Sequence, residues 1–327
     1  MFIMRFDMRA PSFGAAKPDE LYRAALEMAS WGEQHGCIQI VLSEHHGSED
    51  GYLSSPLILA AAMVARTETI GIQIGALVVP LHDPVRLAED MLVLDLVSRG
   101  RVTYVAAVGY LPSEYSMFER DFKARGKRMD ECLEVLAKAF SGEPFEYRGT
   151  RLRVRPLPHT PGGPSLLMGG NSRAAARRAA RFDMGMLTQG LNPELGDYYA
   201  EECRKQGREP KICLIPPPDL VTSAFVAEDV DRAWEEMGPY LLHDAQAYAA
   251  WMSENVAVSK SVVQTVDELR ASHGPYRIFT PQQAVEYIRG HGIFLCQPLC
   301  GGLPPELAWP SLKLLAESVL PALASPS

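Results

Sequence analysis

Short apolar runs alternate along the chain with segments of helical spacing. IMRFDMR at the N-terminus reads as a strand, and residues 19–36 read as a helix with Leu21, Ala25, Met28 and Trp31 on one face. CIQIVLS is a second strand. SPLILAAAMVART is a helix, with Ser54 or Ser55 as N-cap and Pro56 in its first turn. TIGIQIGALVV is a third strand, and PVRLAEDMLVLDLVS reads as a buried helix with Leu87, Met91, Leu94 and Val97 in step. GRVTYVAAV is a fourth strand. Residues 121–140 read as a helix, and FEYRGTRLRVRP, with Gly149 between two alternating runs, as a small hairpin. SLLMGG is a strand that leads directly into the helix SRAAARRAARF, and MGMLTQG is another strand. KICLI or LVTSAFVA supplies a seventh, GIFLCQP the eighth, and PSLKLLAESVLPALA a closing helix.

Alternation of this kind joins parallel strands by right-handed crossovers. Eight strand–helix pairs favour an α/β fold of the (β/α)8 TIM-barrel type. The expectation is a single barrel domain over residues 1–327, with a small hairpin insertion near 144–156 and a less regular insertion within about 241–291. The stretch 216–291 is the least legible, and its polar part, 241–280, reads as long loops.

Composition narrows the class. Of 327 residues, 47% are hydrophobic and 22% charged, the balance of an ordinary globular enzyme. A net charge of −8 argues against nucleic acid, whose binding rests on neutralising phosphates with Lys and Arg. The six cysteines are scattered with no CxxC pair, which points to a reducing compartment rather than a disulfide framework. MFIMRFDMRAPSFG is too short and too charged for a signal peptide, and no apolar run approaches the roughly 18 residues of a membrane span. A cytoplasmic location with no membrane contact is expected.

In a barrel the chemistry sits at the C-terminal ends of the strands. Four stretches fall there: Glu44-His45-His46; Gly75-Ala76-Leu77, leading to PLHDP; VGYLPSEY; and Gly169 to Arg173. The last has the makings of a phosphate site. Gly169 and Gly170 let a ligand approach the backbone, Asn171 or Ser172 can cap the next helix, and Arg173 adds charge to its electropositive end. The same residues also fit a capped helix and nothing more. Arg177 and Arg181 share that face and read as solvated. His45 has the titration range of a general acid or base, although a histidine there also fits a hydrogen-bonded rim. Contiguous Glu44, His45 and His46 alternate in direction on extended backbone, which disfavours a shared metal ion. His82 and Asp83 read as the turn into a helix, with Asp83 as N-cap before Pro84.

These motifs resemble the bacterial luciferase-like family of flavin-dependent monooxygenases and oxidoreductases. VLSEHHGSEDGY, the long stretch GALVVPLHDPVRLAEDMLVLDLVSRGRVTYVAAVGYLPSEYSMF, and PSLLMGGNSRAAARRAARFDMGML carry the likeness, in the family's order. It runs from residue 1 to about 190 and returns at 292–323. The resemblance implies a luciferase-like barrel that uses reduced FMN and O2 to oxygenate a small organic substrate through a peroxyflavin. His45 would be the catalytic acid/base, with Glu44 orienting a histidine or satisfying backbone. His46, Tyr52 and Tyr115 would shape the substrate pocket, with Trp251 as a further wall. Gly75, Ala76, Leu77, Gly109 and Tyr110 would flank the flavin ring, with a cis peptide at Gly75–Ala76. Gly169, Gly170, Asn171, Ser172 and Arg173 would hold the phosphate. One departure stands out: Val108 occupies a position that holds an arginine near the phosphate in luciferase. No nicotinamide-binding fingerprint is present, so a separate flavin reductase would supply the reduced FMN as a transient partner. A homodimer is implied. A deazaflavin-dependent hydride transferase of the same family, a non-catalytic flavin-binding barrel, and a metal hydrolase are the rivals.

Overall fold

The computed structural model describes residues 1–252 and 257–324. Its elements run β1 (Phe2–Phe6), α1 (Pro18–Gln34), β2 (Cys37–Leu42), α2 (Pro56–Val64), β3 (Gly71–Val78), α3 (Pro84–Ser98), β4 (Val102–Ala107), α4 (Pro112–Met117) and α5 (Arg125–Ser141). They continue with β5 (Phe145–Tyr147), β6 (Thr150–Leu152), β7 (Ser165–Gly169), α6 (Arg173–Arg181), β8 (Gly185–Leu187), α7 (Glu194–Lys205), β9 (Cys213–Leu214) and β10 (Ser223–Val226). The last are α8 (Val230–Trp251), α9 (Val266–Ala271), β11 (Tyr276–Phe279), α10 (Pro281–His291), β12 (Phe294–Cys296), α11 (Pro305–Leu314) and α12 (Leu320–Ala324).

The chain packs as two compact units. One comprises Met1–Leu42, Ser48–Ser54 and Pro216–Ser327; the other comprises Ser43–Gly47 and Ser55–Ile215. In the first unit, parallel strands lie in the order β11-β10-β12-β1-β2. Phe2, Met4 and Phe6 are buried, the pattern of a strand covered by helices. The interior of this unit is partly ionic. Arg9 is fully buried and donates from Nε to Asp244 (2.9 Å) and from Nη1 to Asp50 (2.5 Å), while its amide donates to Asp7 (3.0 Å). Its guanidinium lies 4.7, 5.4 and 4.5 Å from the ring centres of Tyr52, Tyr248 and Trp251. Tyr276 and Gln297 donate to the remaining oxygens of Asp244 and Asp7. Burial and the neighbouring Asp244 push the Asp7 carboxyl up to about 6.

In the second unit the parallel order is β3-β4-β7-β8-β9, with β5 and β6 forming an antiparallel hairpin whose turn places Arg148 and Gly149 at positive φ. Asp83 caps α3, accepting from Val85 N and Arg86 N, with Pro84 at its first position. Along α6, Ala175, Ala176, Ala179 and Ala180 turn inward while Arg173, Arg177 and Arg181 face solvent.

Three expectations change. KICLI and LVTSAFVA both hold strands, β9 and β10, and β11 at Tyr276–Phe279 is a further strand within the segment read as loop. Residues 241–251 of that segment are also helix, the end of α8. Pro239 and the polar His243–Asp244 pair obscure its spacing, but Asp244 is a core position because Arg9 neutralises it. On α3, Leu87, Met91 and Leu94 are buried as expected, whereas Val97 is 55% exposed. All six cysteines are free.

Candidate active site

Ser43 to Gly47 follow β2 in the chain and belong to the second unit. Ser43 Oγ donates to Gly75 O (2.6 Å) and the Glu44 amide to Ala76 O (3.1 Å), so this segment is sewn to the end of β3. There the Gly75–Ala76 peptide is cis, and the register with β4 skips Ala76. The Glu44 carboxylate is buried and completes the seam. Its Oε1 accepts from His46 Nε2 (3.0 Å) and His82 Nε2 (2.8 Å), and its Oε2 from the Val78 amide (2.5 Å). Burial alone would raise this carboxyl. The bonds from His46 and His82, the charge of His82 and the Val78 amide outweigh it and hold the group down at about 2. His82 suffers desolvation too, yet its bond to Glu44 carries its imidazole above the usual range.

His45 faces a different carboxylate. Its Nδ1 lies 2.9 Å from Oε1 of Glu114 in the first turn of α4, and its Nε2 lies 3.3 Å from the Tyr110 hydroxyl. The ring is buried. An imidazole held by a carboxylate is an arrangement that acid/base chemistry can use.

The loop after β4 turns on Gly109, whose φ is +71. A Cβ there would stand 2.8 Å from Val78 Cγ1, so only glycine fits. Tyr115 pins the loop from below, its hydroxyl donating to Val108 O (2.5 Å). After β7, Gly170 has φ +131. Ser172, not Asn171, is the N-cap of α6, accepting from Ala175 N (3.2 Å). Asn171 instead accepts from the amides of Gln189 and Gly190 (3.0 and 2.8 Å), tying down the loop after β8. Arg173 opens α6 with its guanidinium 5.0 Å from the Tyr198 ring centre, and no carboxylate pairs with it among the described residues. Because β3, β4 and β7 are parallel, their C-terminal ends bring these glycines to one edge of the sheet.

The sequence pattern of luciferase-like monooxygenases matches residues 4–291. The chain belongs to that family. Among luciferase-like relatives, the 4-hydroxyprotoasukamycin monooxygenase of Streptomyces nodosus subsp. asukaensis is 30% identical over 179 residues, 52% of this chain and 48% of that protein. The chain thus spans about half the length of curated relatives it matches. The limonene 1,2-monooxygenase of Rhodococcus erythropolis is 30% identical over 320 residues, 90% of this chain and 80% of that protein. Among solved structures, the oxygenating constituent of 3,6-diketocamphane monooxygenase from Pseudomonas putida, a type II Baeyer-Villiger monooxygenase in complex with FMN, aligns with TM-score 0.72 at 16% identity. It covers 100% of this chain and 99% of that one. The luciferase-like fold is the α/β (β/α)8 TIM barrel that the strand–helix alternation implies.

Within this luciferase-like frame two expected pocket residues are core residues instead. Tyr115 is 1% exposed and packs with Val78, Leu81 and Phe122. Tyr52 is buried in the first unit, sharing a hydrogen bond with Tyr248 (2.7 Å), and Trp251 packs on Arg9 beside it. The structure adds two partners that the spacing does not reveal: Glu114, the carboxylate on His45, and His82, the third contact of Glu44. Both stood in stretches already singled out, PSEY and PLHDP, at the ends of β4 and β3. Among the described residues no helix is long and apolar enough to cross a membrane.

Proposed function

We propose that this chain is a flavin-dependent monooxygenase that takes reduced FMN from a separate reductase and O2 from solution to oxygenate a small organic substrate. The observation that carries the reading is the buried His45, held by Glu114 beside the glycine-lined ends of β3 and β4. The activities of the monooxygenases named above support it.

The residues present fit FMN. Gly75, Ala76, Gly109 and Tyr110, all partly exposed, would flank its ring, while Leu77, whose side chain is fully buried, would offer only its backbone. The backbone of Gly169 to Ser172, with the N-terminus of α6, would hold its phosphate, the first-turn amides lacking helical partners. Arg173 supplies the cation that Val108 does not. Reduced FMN, when bound, supplies two electrons to O2. His45 would then give or take the proton at Nε2, with Tyr110 Oη as its neighbour. Glu44 keeps His46 and the end of β3 in place.

Arg173→Ala is expected to weaken FMN binding by about 5–10-fold, the scale of one charge-assisted contact, and riboflavin binding hardly at all. Fluorescence titration with both flavins reads this. Equal losses for the two would remove Arg173 from the phosphate site. Tight binding of a deazaflavin coenzyme with none of FMN would replace the oxygenase reading with hydride transfer.

The outer faces of α2 and α3 support a homodimer. α2 carries no charged residue, and its Ile58 is 73% exposed; on α3, Val93 and Val97 are 50% and 55% exposed. A helix apolar on two faces calls for two partners, and a two-fold contact sets the same patch on both copies. Val93→Glu with Val97→Glu is expected to halve the sedimenting mass. An unchanged mass would exclude this face.

A further inference from the structure

Glu114 is 1% exposed, and both hydrogen bonds it receives fall on one oxygen. His45 Nδ1 lies 2.9 Å from Oε1, and the His46 amide donates to the same atom at 3.0 Å. Oε2 is buried without a hydrogen-bond partner. A carboxylate oxygen accepts, so a neutral His45 ring facing it carries its proton on Nδ1 and its lone pair on Nε2. Tyr110 Oη is at 3.3 Å from that Nε2, placed to donate to it. The second bond matters as much. The His46 amide belongs to the residue after His45, so a single oxygen holds both the ring and the backbone that carries it. A side chain that only filled space would leave the ring free to flip and the tautomer open.

From this geometry we propose that Glu114 is a positioning residue for His45: it selects the Nδ1–H tautomer and turns Nε2 toward Tyr110. The catalytic consequence rests on the monooxygenase reading, but the tautomer does not. Glu114→Gln keeps an oxygen able to accept both bonds and removes the negative charge. Glu114→Leu keeps bulk and removes the acceptor. The pair separates orientation from packing.

The test is NMR of nitrogen-labelled histidine in the full chain, reading the ring tautomer, with His45→Ala used to assign the signal. The wild type and Glu114→Gln are expected to show Nδ1–H at His45, and Glu114→Leu a mixture of both tautomers. In turnover with reduced FMN and O2, kcat of Glu114→Leu is expected to fall about 10–100-fold, within what a placed acid/base contributes. KM should stay nearly constant, and Glu114→Gln should recover most of kcat. A pure Nδ1–H signal in Glu114→Leu overturns the positioning role whatever the activity does. A tautomer that shifts as expected while His45→Ala turns over at the wild-type rate upholds the role and strikes out the acid/base assignment of His45 instead.

Discussion

His45→Ala is expected to lower substrate-dependent oxygenation by about 10²–10⁴-fold, the range a well-placed acid or base contributes. The imidazole is the titratable ring at the ends of β3 and β4 that a carboxylate orients through Nδ1 while Nε2 meets a phenol. Removing it leaves Tyr110 without that partner and leaves Glu114 Oε1 with only the His46 amide. The measurement supplies chemically reduced FMN, an aldehyde or ketone and O2, and compares product with peroxide released. The variant should still bind FMN and should divert its reducing equivalents to peroxide. Equal product yield in variant and wild type would remove His45 from the chemistry, whereas no product from either would leave a flavin-binding barrel as the better account.

Glu44→Leu should be the most destabilising single change at the site, by about 3–5 kcal/mol, the cost of breaking a buried charge away from its partners. One carboxylate satisfies the Val78 amide and two imidazoles, and a leucine satisfies none. Glu44→Gln keeps an acceptor and should lose only about 1–2 kcal/mol. Urea denaturation reads both. Acidity adds a second signature. The Glu44 carboxyl is held at about 2 against an ordinary 4.5, so its stabilisation is complete above about 4.5 and disappears as pH falls toward 2. His82 is shifted the other way, so its share is complete below 6.5 and fades as pH rises through its higher folded value. In Glu44→Leu both slopes should flatten. A variant within about 1 kcal/mol of wild type, with the slopes intact, would contradict the three-way seam.

The barrel was legible because its strands are apolar runs and its helices keep their spacing; α3 announces itself with Asp83 and Pro84. Glu44 and His45 were legible because polar residues at the end of a buried strand need a reason. Glu114 was not, since an acid in the first turn of a helix already has one in the helix dipole. Its true partner is 69 positions away. His82 hid behind the turn it also makes. Asp244 disguised the end of α8 because a buried charge looks like surface until its counter-ion is known. Val97 erred in the opposite sense: spacing shows which residues share a stripe but not whether a second stripe is also apolar. Tyr52 and Tyr115 stand inside the motifs at the strand ends, where an aromatic ring fits a pocket wall or simple packing equally well, yet both hydroxyls are bonded inside the protein.

The caged Arg9 limits how the first unit can diverge. Its guanidinium serves two carboxylates while lying against three aromatic rings. A lysine offers one ammonium and no flat face to stack. Descendants of this chain can therefore trade Arg9 only together with Asp244, Asp50 and the rings, by a coordinated set of replacements rather than by single drift.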